Sequence, residues 1–279
     1  MKIEPRYEGP LVFAVDGPDV REPFLRQQQR FVAMFAALDD AQWRQPTRCD
    51  AWTVQDIAIH LGTVNRFWHG SISAGLAGQP SQLLVGFDPA ATPDLLVEAG
   101  RSAPPTETLA ELADSSQALR DLVSSLDDDQ MTTLAEAPAG LIPIGCLINH
   151  GLWDCWTHER DVALPLGLPV TEEPDEVLAC LRFVSGLGAV FALTSGSAHP
   201  PATLVVEATD PGATVVVEVT DHVAVHDGAA GVPADPTVVL RGRAVDLVEA
   251  LSCRAPFTDD IPAEHQWLFS YLSVIFETS

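Results

Sequence analysis

Two patterns of hydrophobic residues divide the chain. Between about residues 20 and 195, apolar residues recur at every third or fourth position, which places them on one face of an α-helix. After about residue 200, apolar and polar residues alternate in segments rich in Val and Thr, which is typical of strands. The change predicts a helical N-terminal part and a smaller C-terminal part of mixed strands and helices.

The N-terminal pattern predicts a bundle of four amphipathic helices, because each apolar stripe has to be buried against another. The predicted helices cover residues 23–38, 53–69, 106–126 and 144–164. The segment 70–92 is expected to be loop with a short helix, because Gly and Pro interrupt it. Thr53 and Asp56 form a variant of the capping box at the start of the second helix.

The C-terminal pattern predicts a small α+β domain. A linker near residue 170 precedes a helix over 174–194, and TLVVEAT and TVVVEVT flank a DPGA turn as an antiparallel hairpin. HVAVHDG and PTVVLRG continue the strands, and AVDLVEALSC and HQWLFSYLSVIF are predicted helices. We therefore expect an α+β fold, with a helical bundle in residues 1–170 and an α+β domain in residues 171–279.

Charge and cysteine content narrow the choice of partners and compartment. The chain of 279 residues has 15 Lys and Arg against 39 Asp and Glu, a net charge of −24, which disfavours nucleic-acid and membrane partners. No apolar run approaches the roughly 20 residues that span a bilayer. The opening MKIEPRYEGP has no apolar run of a signal peptide, and the five cysteines are scattered without a CxxC motif. We expect a cytoplasmic protein with reduced thiols.

The segment HGLWDCWTHERD, residues 150–161, concentrates the groups that bind metals. His150, Asp154 and His158 follow one another at intervals of four, so that neighbouring members lie one helical turn apart. A carboxylate and an imidazole at this spacing can bind one cation, and His60 on the inner face of the second predicted helix is the best third ligand. Three protein ligands leave a fourth position open, as in catalytic zinc sites.

Simpler interpretations of the same residues stay open at this point. A single interior histidine such as His60 is more often a hydrogen-bonded core residue than a ligand. Asp154 and His158 are also consistent with a polar i, i+4 pair, and His150 with a position outside the ligand shell. Residues 159–161 are expected to form an exposed, ion-pairing end of the helix.

Two segments resemble the mycothiol-dependent maleylpyruvate isomerase family. WRQPTRCDAWTVQDIAIHL is similar to its signature W-x-x-P-T-x-C-x-x-W-T-V-x-D, which leads into a helix with a metal-binding histidine. The matching residues are Trp43, Pro46, Thr47, Cys49, Trp52, Thr53, Val54, Asp56 and His60. WDCWTHERDVALPLG is similar to the second ligand segment. The resemblance implies a DinB-like four-helix bundle in which His60, Asp154 and His158 bind zinc.

The C-terminal passage VVLRGRAVDLVEALSCR resembles the family's second domain, which is similar to sterol-carrier-protein folds. Two positions depart from the family pattern. Asp154 stands where the family usually has Glu, and Ser252-Cys253-Arg254 stands where it has a Trp-Gly-Arg-like tripeptide. The resemblance makes Arg254 the candidate catalytic residue that binds or polarises the substrate, although an arginine at a helix C-terminus also complements the helix dipole.

The resemblance implies a metal-dependent isomerase or S-transferase. Its cofactors would be a divalent metal, zinc by preference, and mycothiol, and its partners a small-molecule thiol and an electrophilic substrate. Three alternatives remain: a metal-binding or hydrophobic small-molecule-binding protein without turnover, a transferase that uses bacillithiol or glutathione, and a structural bundle without metal.

Overall fold

The computed structural model describes residues 3–89 and 91–276. Within them the chain forms nine α-helices and seven strands. The helices are α1 (Arg21–Ala36), α2 (Val54–Leu76), α3 (Thr92–Gly100), α4 (Pro105–Ser124), α5 (Asp128–Met131), α6 (Ile144–Ala163), α7 (Pro174–Thr194), α8 (Ala244–Leu251) and α9 (Trp267–Phe276). The strands are β1 (Phe13–Val15), β2 (Leu134–Ala137), β3 (Gly140–Pro143), β4 (Ala202–Thr209), β5 (Gly212–Val219), β6 (Val223–Asp227) and β7 (Val238–Gly242). This arrangement confirms the predicted α+β class.

Helices α1, α2, α4 and α6 form the predicted bundle, each packing against two others of the set. The capping box at the start of α2 is present: the Thr53 hydroxyl accepts from the Asp56 amide, and the Asp56 carboxylate accepts from the Thr53 amide. Arg101 also donates to Asp56 at 2.9 Å, which ties the start of α2 to the end of α3. These contacts fix the first turn of the helix that carries His60.

The predicted end of the second helix at residue 69 is wrong, because α2 continues to Leu76. Its last two turns pack against β2, a strand that the sequence pattern did not predict. Ser71 Oγ donates to the Glu136 carbonyl at 2.8 Å, and a Cβ at Gly75 would lie 2.4 Å from the Leu134 carbonyl oxygen. Glycine therefore permits this close approach of helix and strand, and the tertiary packing outweighs its poor helix propensity.

The C-terminal sheet has the order β1-β6-β5-β4-β7. The predicted hairpin is confirmed as β4 and β5, with Thr209 opposite Gly212 and Ala202 opposite Val219. Strand β7 pairs with β4 in parallel, and β1 pairs in parallel with β6. Because β1 comes from the N-terminal segment, the chain before the bundle contributes an edge strand to this sheet. The division of the chain at residue 170 stays a prediction.

Helix α7 connects the bundle to the sheet, since it packs on α6 and on β5, β6, α8 and α9. Judged by length and composition alone, it could cross a membrane, but 89% of its most apolar stretch is buried inside the protein. Arg182 interrupts the apolar surface and binds Asp227 at 2.8 Å. The helix is thus the core layer between the two parts. Two of its residues, Leu187 and Phe191, line the cavity of the site described next.

Candidate metal centre

The structure brings His60, Asp154 and His158 together at the inner faces of α2 and α6. One ligand atom from each residue lies within 4.8 Å of the others. Asp154 occupies the middle, with Oδ2 at 3.8 Å from His60 Nε2 and Oδ1 at 3.5 Å from His158 Nε2. The sequence spacing predicted the α6 pair, and the neighbouring α2 supplies the third group.

The donor set and its spacing fit a zinc ion. Two ligand atoms about 2.1 Å from a shared tetrahedral zinc lie about 3.4 Å apart, close to both distances at Asp154. Imidazole nitrogen and carboxylate oxygen are ordinary zinc ligands. A second group with the same spacing, Cys49, His158 and Asp161, fits less well, because two arginines already bind the Asp161 carboxylate.

Asp161 orients His158 from the side opposite Asp154. Its Oδ2 lies 3.0 Å from His158 Nδ1, so Nδ1 carries the proton and Nε2 faces the other two groups. Such a carboxylate behind a ligating histidine is the usual arrangement at metal sites. Burial opposes the imidazolium, but the hydrogen bonds to Asp161 and Cys49 raise the pKa of His158 to about 10.

His60 and Asp154, the other two groups of the cluster, both have lowered pKa values. Burial disfavours the charged imidazole of His60 and lowers its pKa. Burial also raises the pKa of Asp154, but the neighbouring histidines outweigh it and bring the pKa to about 2. At neutral pH the metal-free cluster therefore contains a neutral His60, an ionised Asp154 and a protonated His158.

The end of α6 is buried, so the expectation that residues 159–161 are exposed is wrong, whereas the expected ion pairs are present. Glu159 is 5%, Arg160 7% and Asp161 0% exposed. The helix end lies between α1 on one side and α8 on the other, which sequence periodicity does not reveal. Arg30 of α1 binds Glu159 at 2.9 Å, and Arg160 binds Glu249 of α8 at 2.5 Å.

Arg254 reaches this helix end from the C-terminal part. Its Nε and Nη2 donate to the two carboxylate oxygens of Asp161, each at 2.9 Å, and Nη2 also lies 3.2 Å from Cys49 Sγ. Cys49 donates to the same carboxylate at 3.3 Å. Arg254 therefore lies behind the cluster of His60, Asp154 and His158 and borders the adjacent cavity, and its role toward a substrate stays a prediction.

A Schellman motif at the end of α8 directs Arg254 toward Asp161. The Arg254 amide donates to the Glu249 carbonyl at 2.8 Å and the Cys253 amide to the Ala250 carbonyl at 3.1 Å. Cys253 has a φ of 57°, in the left-handed region that favours glycine. A glycine, as in the family pattern that this segment resembles, would adopt this backbone conformation without strain.

A cavity of about 220 Å³ opens beside the cluster. His60, Asp154, His158 and Arg254 line it, together with mostly aromatic and aliphatic side chains that form the remaining walls. The wall residues are Trp52, Thr63, Val64, Phe67, Trp68, Leu84, Phe87, Pro89, Thr92, Pro93, Leu96, Pro138, His150, Trp153, Thr157, Leu187 and Phe191. The site therefore has room for a small molecule next to the three ligand atoms.

His150 belongs to the wall and not to the ligand cluster. Its ring stacks on Phe183 at a centroid distance of 4.8 Å and lies 4.9 Å from the Trp68 ring. Burial lowers the pKa of His150 to about 4, so the ring is neutral at physiological pH. The structure therefore places His150 outside the group of candidate metal ligands, which was one of the interpretations left open by the sequence spacing.

Fold and site together define a helical bundle with a histidine–carboxylate–histidine cluster, joined to an α+β part whose Leu187, Phe191 and Arg254 line the adjacent cavity. The chain belongs to the mycothiol maleylpyruvate isomerase family: the model described as "Mycothiol maleylpyruvate isomerase N-terminal domain" matches residues 24–163. This match confirms the resemblance carried by the tryptophan-rich motif and the second ligand segment.

Comparison with solved structures extends the likeness beyond the bundle. The crystal structure of the mycothiol-dependent maleylpyruvate isomerase aligns with a TM-score of 0.60 at 15% identity, covering 87% of this chain and 93% of that chain. A histidine-to-alanine variant of the isomerase gives the same TM-score and coverage at 14% identity. At this identity the match shows a shared fold. The comparison with curated proteins found no significant match.

A more distant match covers 58% of this chain and 95% of the other at 16% identity, with a TM-score of 0.44. It is YfiT from Bacillus subtilis, described as a probable metal-dependent hydrolase with an unusual four-helix bundle topology.

Proposed function

We propose that this protein is a metal-dependent thiol enzyme, an isomerase or S-transferase that uses mycothiol on a small electrophile. The observation that carries the proposal is the three-residue cluster of His60, Asp154 and His158 at the end of a cavity, in a chain of this family. The name of the similar isomerase supplies the thiol and the reaction type as a starting hypothesis. A cytoplasmic location, where cysteines stay reduced, is part of the proposal.

In this proposal His60, Asp154 and His158 hold one divalent ion, with zinc the best fit to nitrogen and carboxylate ligands at these distances. A bound zinc ion supplies thiol activation, since coordination lowers the pKa of a thiol. Asp161 keeps His158 in the tautomer that presents Nε2, and Arg254 holds Asp161 in place. The aromatic walls position the electrophile and exclude water.

The chemistry needs only the thiol and a conjugated double bond. The thiolate adds to the alkene carbon, and the electron pair moves onto the carbonyl oxygen as an enolate. If the adduct rotates and the enolate expels the thiolate, the alkene returns with changed geometry and the thiol is regenerated. If the enolate takes a proton instead, the product is a thioether conjugate. One site therefore supports isomerisation or S-transfer, depending on which step follows addition.

Elemental analysis of purified protein tests the metal half of the proposal. We expect about one divalent ion per chain in the wild type and in His150→Ala, whose ring belongs to the cavity wall. His158→Ala should lose the ion, because one of three ligands is gone. Unchanged metal content in His158→Ala would overturn the assignment.

The rates of thiol consumption and of alkene isomerisation together test the catalytic half. Mycothiol with an electrophile such as dimethyl maleate should react faster with the metal-loaded protein than with the metal-free protein, and dimethyl fumarate should appear if the adduct eliminates. Bacillithiol and glutathione in the same assay identify the thiol. Equal rates with and without protein would overturn the enzymatic proposal.

A second function, binding of an apolar small molecule without turnover, is favoured by one observation, the aromatic and aliphatic cavity walls. It predicts ligand binding with neither thiol consumption nor isomerisation above the protein-free rate for any electrophile, so the assay above separates the two functions.

A further inference from the structure

We propose that Glu136 is a positioning residue that holds residues 79–89 in place as a wall of the cavity, and that this wall opens when Glu136 releases it. The inference rests on the proposed function only in taking this cavity as the place where the electrophile binds. It adds a residue outside the cavity and a part of the cavity that can move while the three-residue cluster stays intact.

Residues 79–89 lie between α2 and α3 and form part of the cavity lining. Leu84, Phe87 and Pro89 line the cavity. Leu83 and Val85, on either side of Leu84, are 75% and 68% exposed, so they bury little apolar surface that would hold the segment. Apolar packing therefore anchors this segment through few side chains, and polar contacts are needed to fix its path.

Glu136 of β2 supplies these polar contacts. Its Oε2 accepts from the Leu83 amide at 2.9 Å, and its Oε1 accepts from the Leu84 amide at 2.8 Å and from the Tyr7 hydroxyl at 2.6 Å. Among the described residues, no other backbone amide of residues 80–87 donates to a group outside that segment. One carboxylate therefore ties two adjacent amides of the cavity wall to β2.

The charge of Glu136 makes these hydrogen bonds strong. Glu136 is 0% exposed, and burial opposes its ionisation, but the hydrogen bonds, chiefly the one from Tyr7, outweigh burial and lower the pKa of the carboxyl. Hydrogen bonds from amides to an ionised acceptor are about twice as strong as those between neutral groups. The carboxylate and the segment therefore stabilise each other, and neutralising Glu136 should release the segment.

Glu136 acts on the cavity through its neighbours, since it does not itself line the cavity. It fixes the backbone of Leu84, whose side chain is in the wall, and the Phe87 amide donates to the Leu84 carbonyl at 2.9 Å. Its own strand is held by α2, because Ser71 Oγ donates to the Glu136 carbonyl at 2.8 Å. The side chains of Leu84 and Phe87 are thus positioned relative to the helix that carries His60.

Amide hydrogen exchange of the purified protein, resolved to single residues by NMR, tests the inference. In the wild type, the Leu83 and Leu84 amides should be protected relative to those of Val85 and Gly86, which donate to no group among the described residues. In Glu136→Gln the side chain keeps its size but presents an NH₂ group to one of the two amides. Exchange of Leu83 and Leu84 should then accelerate about tenfold or more.

Glu176→Gln is the matched control. Glu176 is also 0% exposed, but Arg26 and Arg30 bind it at the other side of the bundle, so its neutral variant should leave the exchange of Leu83 and Leu84 within about twofold of the wild type. Unprotected Leu83 and Leu84 amides in the wild type would overturn the inference without any variant. An equal effect of Glu136→Gln and Glu176→Gln would overturn it as well, because loss of overall stability would then explain the exchange.

Acrylamide quenching of tryptophan fluorescence tests whether the released segment is a wall of the cavity. Three of the six tryptophans, Trp52, Trp68 and Trp153, line the cavity and are almost fully buried. The quenching constant should rise about 1.5-fold or more in Glu136→Gln and stay at the wild-type value in Glu176→Gln. Faster exchange of Leu83 and Leu84 with unchanged quenching would overturn the link to the cavity.

The two proposals fail separately, because exchange and quenching need neither a thiol nor an electrophile. The expected exchange and quenching without turnover would leave this inference standing and remove the enzymatic function. If the thiol assay shows turnover, Glu136→Gln should raise the KM for the electrophile about fivefold, while kcat and metal content stay close to the wild type, since the three-residue cluster is intact. A lower kcat at unchanged KM would contradict the positioning role.

Discussion

Arg254 and Asp161 are joined by two parallel hydrogen bonds of 2.9 Å, from Nε to Oδ1 and from Nη2 to Oδ2. Asp161 in turn lies 3.0 Å from Nδ1 of His158. The C-terminal part is therefore connected to a candidate metal ligand through one buried carboxylate. Arg48 adds a second connection, because it donates to Asp161 at 3.0 Å and to Glu249 of α8 at 2.6 Å.

Replacing Arg254 by Lys should weaken metal binding up to about 10-fold, the lower end of the effect of losing the direct partner of a metal ligand, because Arg254 acts on His158 through Asp161. Lysine keeps the charge but cannot form the paired hydrogen bonds, so Asp161 would hold His158 less firmly. Chelator competition measures the affinity. Arg243→Lys is the matched control, because Arg243 is 49% exposed and pairs with Glu172 away from the cluster. An affinity of Arg254→Lys equal to that of the control would contradict the coupling.

Asp154→Glu tests whether the shorter carboxylate is matched to this site. Asp154 Oδ2 lies 3.8 Å from His60 Nε2, and Asp154 Oδ1 lies 3.5 Å from His158 Nε2. Both distances are near the spacing of two ligand atoms on a tetrahedral zinc ion. An added methylene should displace the carboxylate, so we expect one ion per chain with roughly tenfold weaker binding. Asp154→Asn should bind more weakly still, because the charge is lost. Tighter binding in Asp154→Glu would show that the site is built for the longer side chain.

Metal binding should release about one proton per chain at pH 7.5. The pKa of His158 in the metal-free protein is about 10, so its Nε2 must lose a proton to become a ligand. His60 has a lowered pKa and Asp154 a pKa of about 2, so neither contributes. Because protonation competes with the metal below pH 10, the apparent affinity should rise about tenfold per pH unit between pH 6 and 9.

Calorimetry in buffers of different ionisation enthalpy counts the released protons. His150→Ala should give the same count, since the pKa of His150 is about 4 and the ring is already neutral. A binding enthalpy that does not depend on the buffer would rule out a protonated His158 in the metal-free protein.

Local spacing made the α6 half of the site predictable, whereas tertiary packing determined the rest. Asp154 and His158 lie one turn apart on a long helix, and the motif around His60 identified the third group. Asp161 is paired with Arg254, which follows α8 and lies 93 residues away in the sequence, so local spacing gave no sign of its buried environment. Strand β1 has only three residues, and its partner β6 lies about 200 residues further along the chain, so periodicity gave no sign of it.

The predicted end of α2 is wrong for a similar reason. Whether a glycine ends a helix depends on the tertiary contacts around it, which the sequence pattern does not show. The Gly and Pro residues after position 69 predict a loop, but in the structure Gly75 lies within α2, where its missing side chain admits the Leu134 carbonyl of β2. The family pattern also has a glycine at the position of Cys253, but there the reason is the left-handed backbone conformation at the end of α8.

Cys253→Gly should stabilise the protein, because a residue with a Cβ loses about 1–2 kcal/mol in the left-handed conformation that Cys253 adopts. The lost contacts of the half-buried Cys253 side chain and the greater freedom of glycine in the unfolded chain offset much of the gain, so we expect a net increase of about 0.5 kcal/mol in the free energy of unfolding. Chemical denaturation measures it. Cys253→Ala retains the Cβ and should give no gain. Equal stability of the glycine and alanine variants would show that the backbone conformation costs nothing here, and that the departure from the family pattern at this position is neutral.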